Sequence, residues 1–202
     1  MRALKIILAS ASPRRYEILK SHGVTPAVIP SDVDETLPES LVARPVEDIV
    51  VYLARKKADA VRAALRSGEG NDAAGGAAFI LAADTVVYKD RIIGKPVDEA
   101  DAFHILSSLR ASAHRVITGV CLIDAESGEA QGFFDTTEVY FKDYPDAEIY
   151  RYIREDPPYD KSGSYAVRSS WSRNIERVEG DIENVMGLPW YRVAPLIARR
   201  RT

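Results

Sequence analysis

Short apolar runs alternate with amphipathic stretches along the chain, and that alternation predicts strands interleaved with helices. Residues 4–9 make an apolar run of strand length, and Ser12 followed by Pro13 predicts a helix N-cap with proline at the first helical position. This helix is expected to run to Ser21, with Gly23 placed to cap its far end. Residues 26–30 predict a second short strand, which leads into an acidic loop at 31–36. Pro45 opens a long helix to Leu65, where Val46, Ile49, Val50, Leu53, Ala54, Ala58, Val61 and Leu65 recur near helical spacing. Lys57 falls on or beside that apolar face.

The small, Gly-rich residues 67–77 predict a surface loop, and the fully apolar run 78–83 predicts a buried strand ending at Asp84-Thr85. Residues 86–88 and 92–93 read as a hairpin about Lys89-Asp90-Arg91. An amphipathic helix is expected over 97–109 with Asp98 as its cap. Two long strands follow at 115–124 and 132–141, turned at Glu126-Ser127-Gly128. Pro145 starts a helix to Arg154, which Asp156-Pro157-Pro158 stops. A last strand is expected at 177–179 and a final helix at 189–199. No stretch repeats at a period of 20 to 50 residues, which excludes repeat architectures. The class is α/β with a mixed sheet.

At 202 residues and 46% hydrophobic, the chain has enough apolar surface for one domain or two small fused lobes, and one domain spanning 1–202 is expected. A net charge of −3 gives no global cationic field for a nucleic acid polymer or an anionic membrane, so any phosphate site has to be local. Cys121 is the only cysteine and lies in an apolar strand, which excludes a disulfide framework and a thiolate zinc site. There is no signal-peptide pattern and no membrane-length apolar run, so a soluble cytoplasmic protein is expected.

The candidate chemistry begins where the first strand meets the first helix. Arg14 and Arg15 load the first turn with cations although that end already carries partial positive charge, a placement that costs up to about 0.3–1 kcal/mol each. With the Ser10 and Ser12 hydroxyls and the helix-start N–H groups, they make a cradle suited to polyphosphate. Glu35, Asp84, Lys57, Lys95 and Lys161 add acids and cations of the kind found at metal-assisted phosphate sites. Oxygen ligands suit Mg²⁺ or Mn²⁺, whereas His22, His104 and His114 lack zinc-ligand spacing and read as a helix end, a helix face and a strand end.

Six motifs in order carry a resemblance to the Maf family of nucleoside triphosphate pyrophosphatases. They are Ser10-Ala11-Ser12-Pro13-Arg14-Arg15, Ala83-Asp84-Thr85, Gly94-Lys95-Pro96, the run from His114 to Val120, the run from Asp160 to Tyr165, and Asn184-Val185-Met186-Gly187-Leu188-Pro189. The resemblance implies a two-lobed α/β domain with a twisted central mixed sheet, flanking helices and a nucleotide cleft, in a family whose members are often homodimers. It implies hydrolysis of a nucleoside triphosphate to the monophosphate and pyrophosphate with a divalent cation.

Carried over by position, Ser10, Arg14 and Arg15 would hold phosphates, Glu35, Lys57 and Lys95 would line the cleft, and Asp84 would be the catalytic acid-base residue. Glu35 and Asp84 would bind the metal. Thr85, Asp160 and Lys161 resemble the branch that prefers dTTP and UTP, but Arg168 stands where that branch has Gln. Two other readings compete: a nucleotide-binding regulator of septum formation with little turnover, and a phosphatase releasing orthophosphate.

Overall fold

The computed structural model describes residues 5–67 and 79–199. Its strands are β1 Ile6–Leu8, β2 Ala27–Val28, β3 Phe79–Lys89, β4 Arg91–Ile93, β5 Ala113–Asp124, β6 Ala130–Phe141 and β7 Ile175–Glu179. The helices are α1 Pro13–Ser21, α2 Glu39–Val42, α3 Val46–Arg66, α4 Glu99–Leu109, α5 Asp146–Glu155, α6 Ile182–Met186 and α7 Trp190–Arg199. One seven-stranded sheet runs in the order β2-β1-β3-β5-β6-β7, with β4 also on β3. It is mixed, since β1 pairs in parallel with β2 and β3, while β3–β4 and β6–β7 are antiparallel. The expected α/β class with a mixed sheet is what the chain forms. No helix among the described residues is long and apolar enough to cross a membrane.

The chain divides into two compact units, one of Met1–Asp84, Thr118–Asp135 and Gly187–Thr202, the other of Thr85–Ile117 and Thr136–Met186. In the first, two periodicities meet. Ile80 and Ala82 of β3, Ile7 of β1, and Cys121 and Ile123 of β5 pack with Ala54, Ala58 and Val61 of α3 in one core cluster. Helical spacing on α3 thus answers the two-residue period of the strands. Gly119 permits the close approach, because a Cβ there would overlap the Val50 carbonyl and the Val51 nitrogen of α3. Cys121 is fully buried in this cluster, and burial pushes its thiol pKa up to about 12, so it packs and does not react.

In the second unit the core is aromatic. Trp171 packs edge-on to Tyr144 at 4.8 Å and tilted against Tyr152 at 4.8 Å, while Phe141 meets Tyr165 at 4.8 Å and His114 at 4.7 Å. Leu106 and Leu109 of α4 and Ile149 and Ile153 of α5 complete it. Asp98 caps α4 by accepting from the Asp101 N–H at 2.8 Å, and the Asp101 carboxylate accepts from the Val97 N–H at 3.0 Å.

Three expectations need correction. The apolar run before Asp84 does not end there: β3 continues unbroken to Lys89, which places Asp84 in mid-strand. Ser12 occupies the N-cap position of α1, but its hydroxyl makes no capping hydrogen bond. The α4 helix starts at Glu99, leaving Val97 outside it and exposed. Sequence pattern also missed the short helices α2 and α6 and the 3-10 turns at Ser162–Ser164 and Ser170–Asn174, which are too brief to show a period. Of the expected loop at 67–77, residues 68–77 lie outside the described residues, as do Leu4 and Ala78.

Candidate active site

The first unit assembles Ser10, Arg14, Arg15, Glu35, Lys57 and Asp84. Asp84 continues the strand face of Ile80 and Ala82, so its carboxylate turns toward α3. Lys57 lies seven residues beyond Val50 on α3, two helical turns along the same face. Its Nζ donates to Asp84 Oδ1 at 2.5 Å and pairs with Glu35 Oε1 at 2.9 Å. The side chains of Lys57 and Asp84 are only 12% and 11% exposed, against 58% for Glu35. The acid at the end of an apolar run therefore has the partner its burial demands. Asp84 Oδ2 makes no hydrogen bond among the described residues.

The loop carrying Glu35 is tied to the same helix. Lys56 Nζ donates to the Asp34 carbonyl at 2.5 Å, and Asp34 Oδ1 accepts from the Thr36 hydroxyl at 2.6 Å and the Thr36 N–H at 2.9 Å. The hydroxyl bond is the chief cause that lowers the Asp34 carboxyl below its ordinary value.

At the cradle, Ser10 follows β1 and is 9% exposed. Its Oγ accepts from the Ser12 N–H at 3.2 Å and from Arg15 Nη1 at 3.0 Å. Arg15 Nε donates to the Gly187 carbonyl at 2.9 Å. Burial lowers the Arg15 guanidinium from its ordinary value, Asp84 opposing and Arg14 reinforcing that shift, with Glu35 opposing it further. Arg14 is partly buried.

The second unit holds Thr85, Lys95, Asp160, Lys161 and Arg168. Two of its sequence motifs meet: the Gly163 N–H donates to the Gly94 carbonyl at 3.0 Å, joining the loop of Lys95 to that of Asp160 and Lys161. Gly163 has φ +73, and a Cβ there would meet the Val87 side chain. Lys161 Nζ donates to Asp160 Oδ1 at 2.8 Å and to the Pro157 carbonyl at 3.2 Å. Lys95 and Arg168 are exposed, and Thr85 is partly buried. His114, expected as a strand-end residue, is buried with Nε2 at 2.8 Å from the Tyr165 hydroxyl.

The model of the family described as "Maf-like protein" matches residues 5–200. The chain belongs to that family. A protein named dTTP/UTP pyrophosphatase from Caldicellulosiruptor saccharolyticus is 40% identical over 196 residues, covering 96% of this chain and 94% of the relative. A second of the same name, from Geotalea uraniireducens, is 41% identical over 195 residues, covering 96% and 94%. Among solved structures, the nucleoside-triphosphatase / dITP/XTP pyrophosphatase of Mycobacterium abscessus aligns over 68% of this chain and 73% of that one, at 16% identity and a TM-score of 0.39, a likeness too slight to bear on function.

Family membership explains why the motif from Asn184 to Pro189 is present without naming what it does, and the structure supplies that. Asn184 is fully buried and its Nδ2 donates to the Val116 carbonyl and to Thr137 Oγ1, both at 3.0 Å, bridging β5 and β6. Asp181 starts α6 by accepting from the Glu183 and Asn184 N–H groups at 3.2 and 3.1 Å. Asp181, a favoured N-cap residue directly before Ile182, is the local signal that could have marked this cap.

No group of three or more His, Cys, Asp or Glu with metal-ligand geometry occurs among the described residues. Asp84 and Glu35 each give one oxygen to Lys57 Nζ, and the Asp84 Oδ2 and the largely exposed Glu35 carboxylate are the oxygen donors this site offers, of the hard kind that suits Mg²⁺.

Proposed function

We propose that the chain is a nucleoside triphosphate pyrophosphatase acting on dTTP and UTP, cleaving between the α- and β-phosphates to give the monophosphate and pyrophosphate. The observation that carries this reading is the buried Lys57–Asp84 pair beside the Ser10 cradle, in a chain about 40% identical to proteins of that name. Asp84 Oδ1 is taken by Lys57, which leaves Oδ2 to accept a proton from the attacking water at the α-phosphorus. Being in the middle of β3, the base sits on a rigid element. Lys57 and Arg14 offset charge that moves onto the leaving pyrophosphate, and Ser10 donates to a phosphate oxygen.

Asp84 and Glu35 are the residues that would hold a divalent cation, whose contribution is to neutralise phosphate oxygens and favour the leaving group. Thr85, Lys95, Asp160, Lys161 and Arg168 are candidates for nucleotide contact on family resemblance. A cytoplasmic location suits an enzyme acting on free nucleotides.

The test is hydrolysis of dTTP and UTP in ¹⁸O-labelled water with Mg²⁺ or Mn²⁺. Pyrophosphate release with label in the monophosphate is expected. Orthophosphate would make the chain a phosphatase, and bound nucleotide without turnover would favour the regulator.

A further inference from the structure

A hydroxyl oxygen can accept two hydrogen bonds and donate one. Both accepting positions of Ser10 Oγ are filled, by the Ser12 N–H at 3.2 Å and by Arg15 Nη1 at 3.0 Å. Its proton has no acceptor among the described residues. At 9% exposure little bulk water is available to take it. A polar group so placed is waiting for an acceptor.

Arg15 is itself oriented. Its Nε donates to the Gly187 carbonyl at 2.9 Å, and Gly187 lies at φ +110, a backbone conformation that favours glycine at this point. A planar guanidinium held at Nε cannot swing freely about its last bonds, so Nη1 is aimed at Ser10. The order of influence runs from the Gly187 turn to Arg15, from Arg15 to Ser10, and from Ser10 outward.

We infer that Arg15 is a positioning residue: anchored on the Gly187 carbonyl, it holds the Ser10 hydroxyl as a one-way donor aimed at a phosphate oxygen. This rests on the proposed nucleotide reading and assigns Arg15 a place behind the hydroxyl, with Arg14 left as the arginine that meets phosphate. Phosphate oxygens accept only, so a hydroxyl that cannot present a lone pair is matched to them and mismatched to ligand donors. An unconstrained serine would lose orientational freedom on binding, which this one has already given up.

The test is a double-mutant cycle on Ser10→Ala, Arg15→Gln and the double variant, read as KM for dTTP and as the dissociation constant for inorganic tripolyphosphate. Each single change is expected to weaken both by about tenfold, and the double to be no more than about threefold worse than Ser10→Ala alone, because partners acting as a unit are not additive. Multiplicative losses would put Arg15 on the phosphate directly and overturn the inference. Arg15→Lys keeps the charge without the two-pronged geometry and is expected to behave like Arg15→Gln; wild-type KM in that variant would also overturn it. Should Arg15→Gln fold poorly, the lysine variant with Ser10→Ala completes the cycle. Tripolyphosphate binding needs no turnover, so a wild type that binds it with the expected coupling but releases no pyrophosphate from dTTP sinks the functional reading alone. A wild type that does not bind tripolyphosphate sinks the cradle.

Discussion

Replacing Lys57 by Met keeps the length of the side chain and removes its charge. The consequence follows from exposure: the Lys57 and Asp84 side chains are 12% and 11% exposed at a separation of 2.5 Å, so the substitution strands a largely buried carboxylate. Breaking such a pair from one side costs about 3–5 kcal/mol. The second arm, to Glu35 at 58% exposure, contributes about 0–1 kcal/mol at most and cannot account for a loss of that size. If stranding is the cause, removing the other charge should reverse it, and Lys57→Met with Asp84→Asn should regain most of the stability. Urea unfolding of the wild type, both single variants and the double variant gives the cycle. Turnover gives the second dimension: Asp84→Asn should lower kcat roughly 10²–10⁴-fold with nucleotide binding retained, and the stable double variant should be as inactive. A Lys57→Met protein within about 0.5 kcal/mol of wild type, or a double variant no more stable than Lys57→Met, refutes the reasoning, since surface substitutions routinely fall in that range.

Gly119→Ala should cost about 1–3 kcal/mol in unfolding experiments, because the new methyl can be housed only by moving α3 backbone, and Lys57 would move with it; a neutral change would contradict the close approach. His114 is buried as the neutral ring, and burial, with the Lys89 charge, holds its pKa down to about 4 from an ordinary 6.5. The unfolded chain therefore takes up the proton first as pH falls, so this contribution is complete above about pH 6.5, is lost progressively down to about pH 4, and reaches at most about 3 kcal/mol. His114→Phe should flatten the urea midpoint between pH 6.5 and 5 relative to wild type, and parallel profiles would exclude the histidine. Arg168 has donors only and cannot accept the N3–H of thymine or uracil as the glutamine of the dTTP/UTP branch can. Comparing kcat/KM for dTTP, UTP, CTP and GTP in wild type and Arg168→Gln should show sharper pyrimidine selectivity in the variant; no change would mean that Arg168 does not read the base.

What the chain discloses depends on the length over which a cause acts. The α3 face is legible because it repeats over 21 residues, and α1 because Pro13 is its first residue and Gly23 directly follows its C-cap His22. Asp84 was legible as a buried acid but misplaced at a strand end, since a hydrophobicity pattern reads a carboxylate as a break. Only the structure shows Lys57 on the facing helix, 27 positions away, making that carboxylate tolerable inside β3. Ser12 fits the local rule for a cap, yet its hydroxyl makes no capping bond, and the neighbouring Ser10 takes the Ser12 N–H at 3.2 Å. The anchoring of Asn184 on β5 and β6 had no periodic signature, because its partners are single atoms on distant strands.

The bond from Arg15 to Gly187 spans 172 positions of chain, which makes it an assembly clock. Residues 1–30 leave the ribosome long before Gly187, and until that turn exists the guanidinium of Arg15 has no carbonyl to anchor it. The Arg15–Gly187 contact can therefore close only after nearly the whole chain has been made, and it carries the loop-closure entropy of a contact between distant residues. A growing chain would carry Ser10 and Arg15 without the contact that orders them, so a ligand that depends on the proposed cradle could be held only once synthesis had passed Gly187.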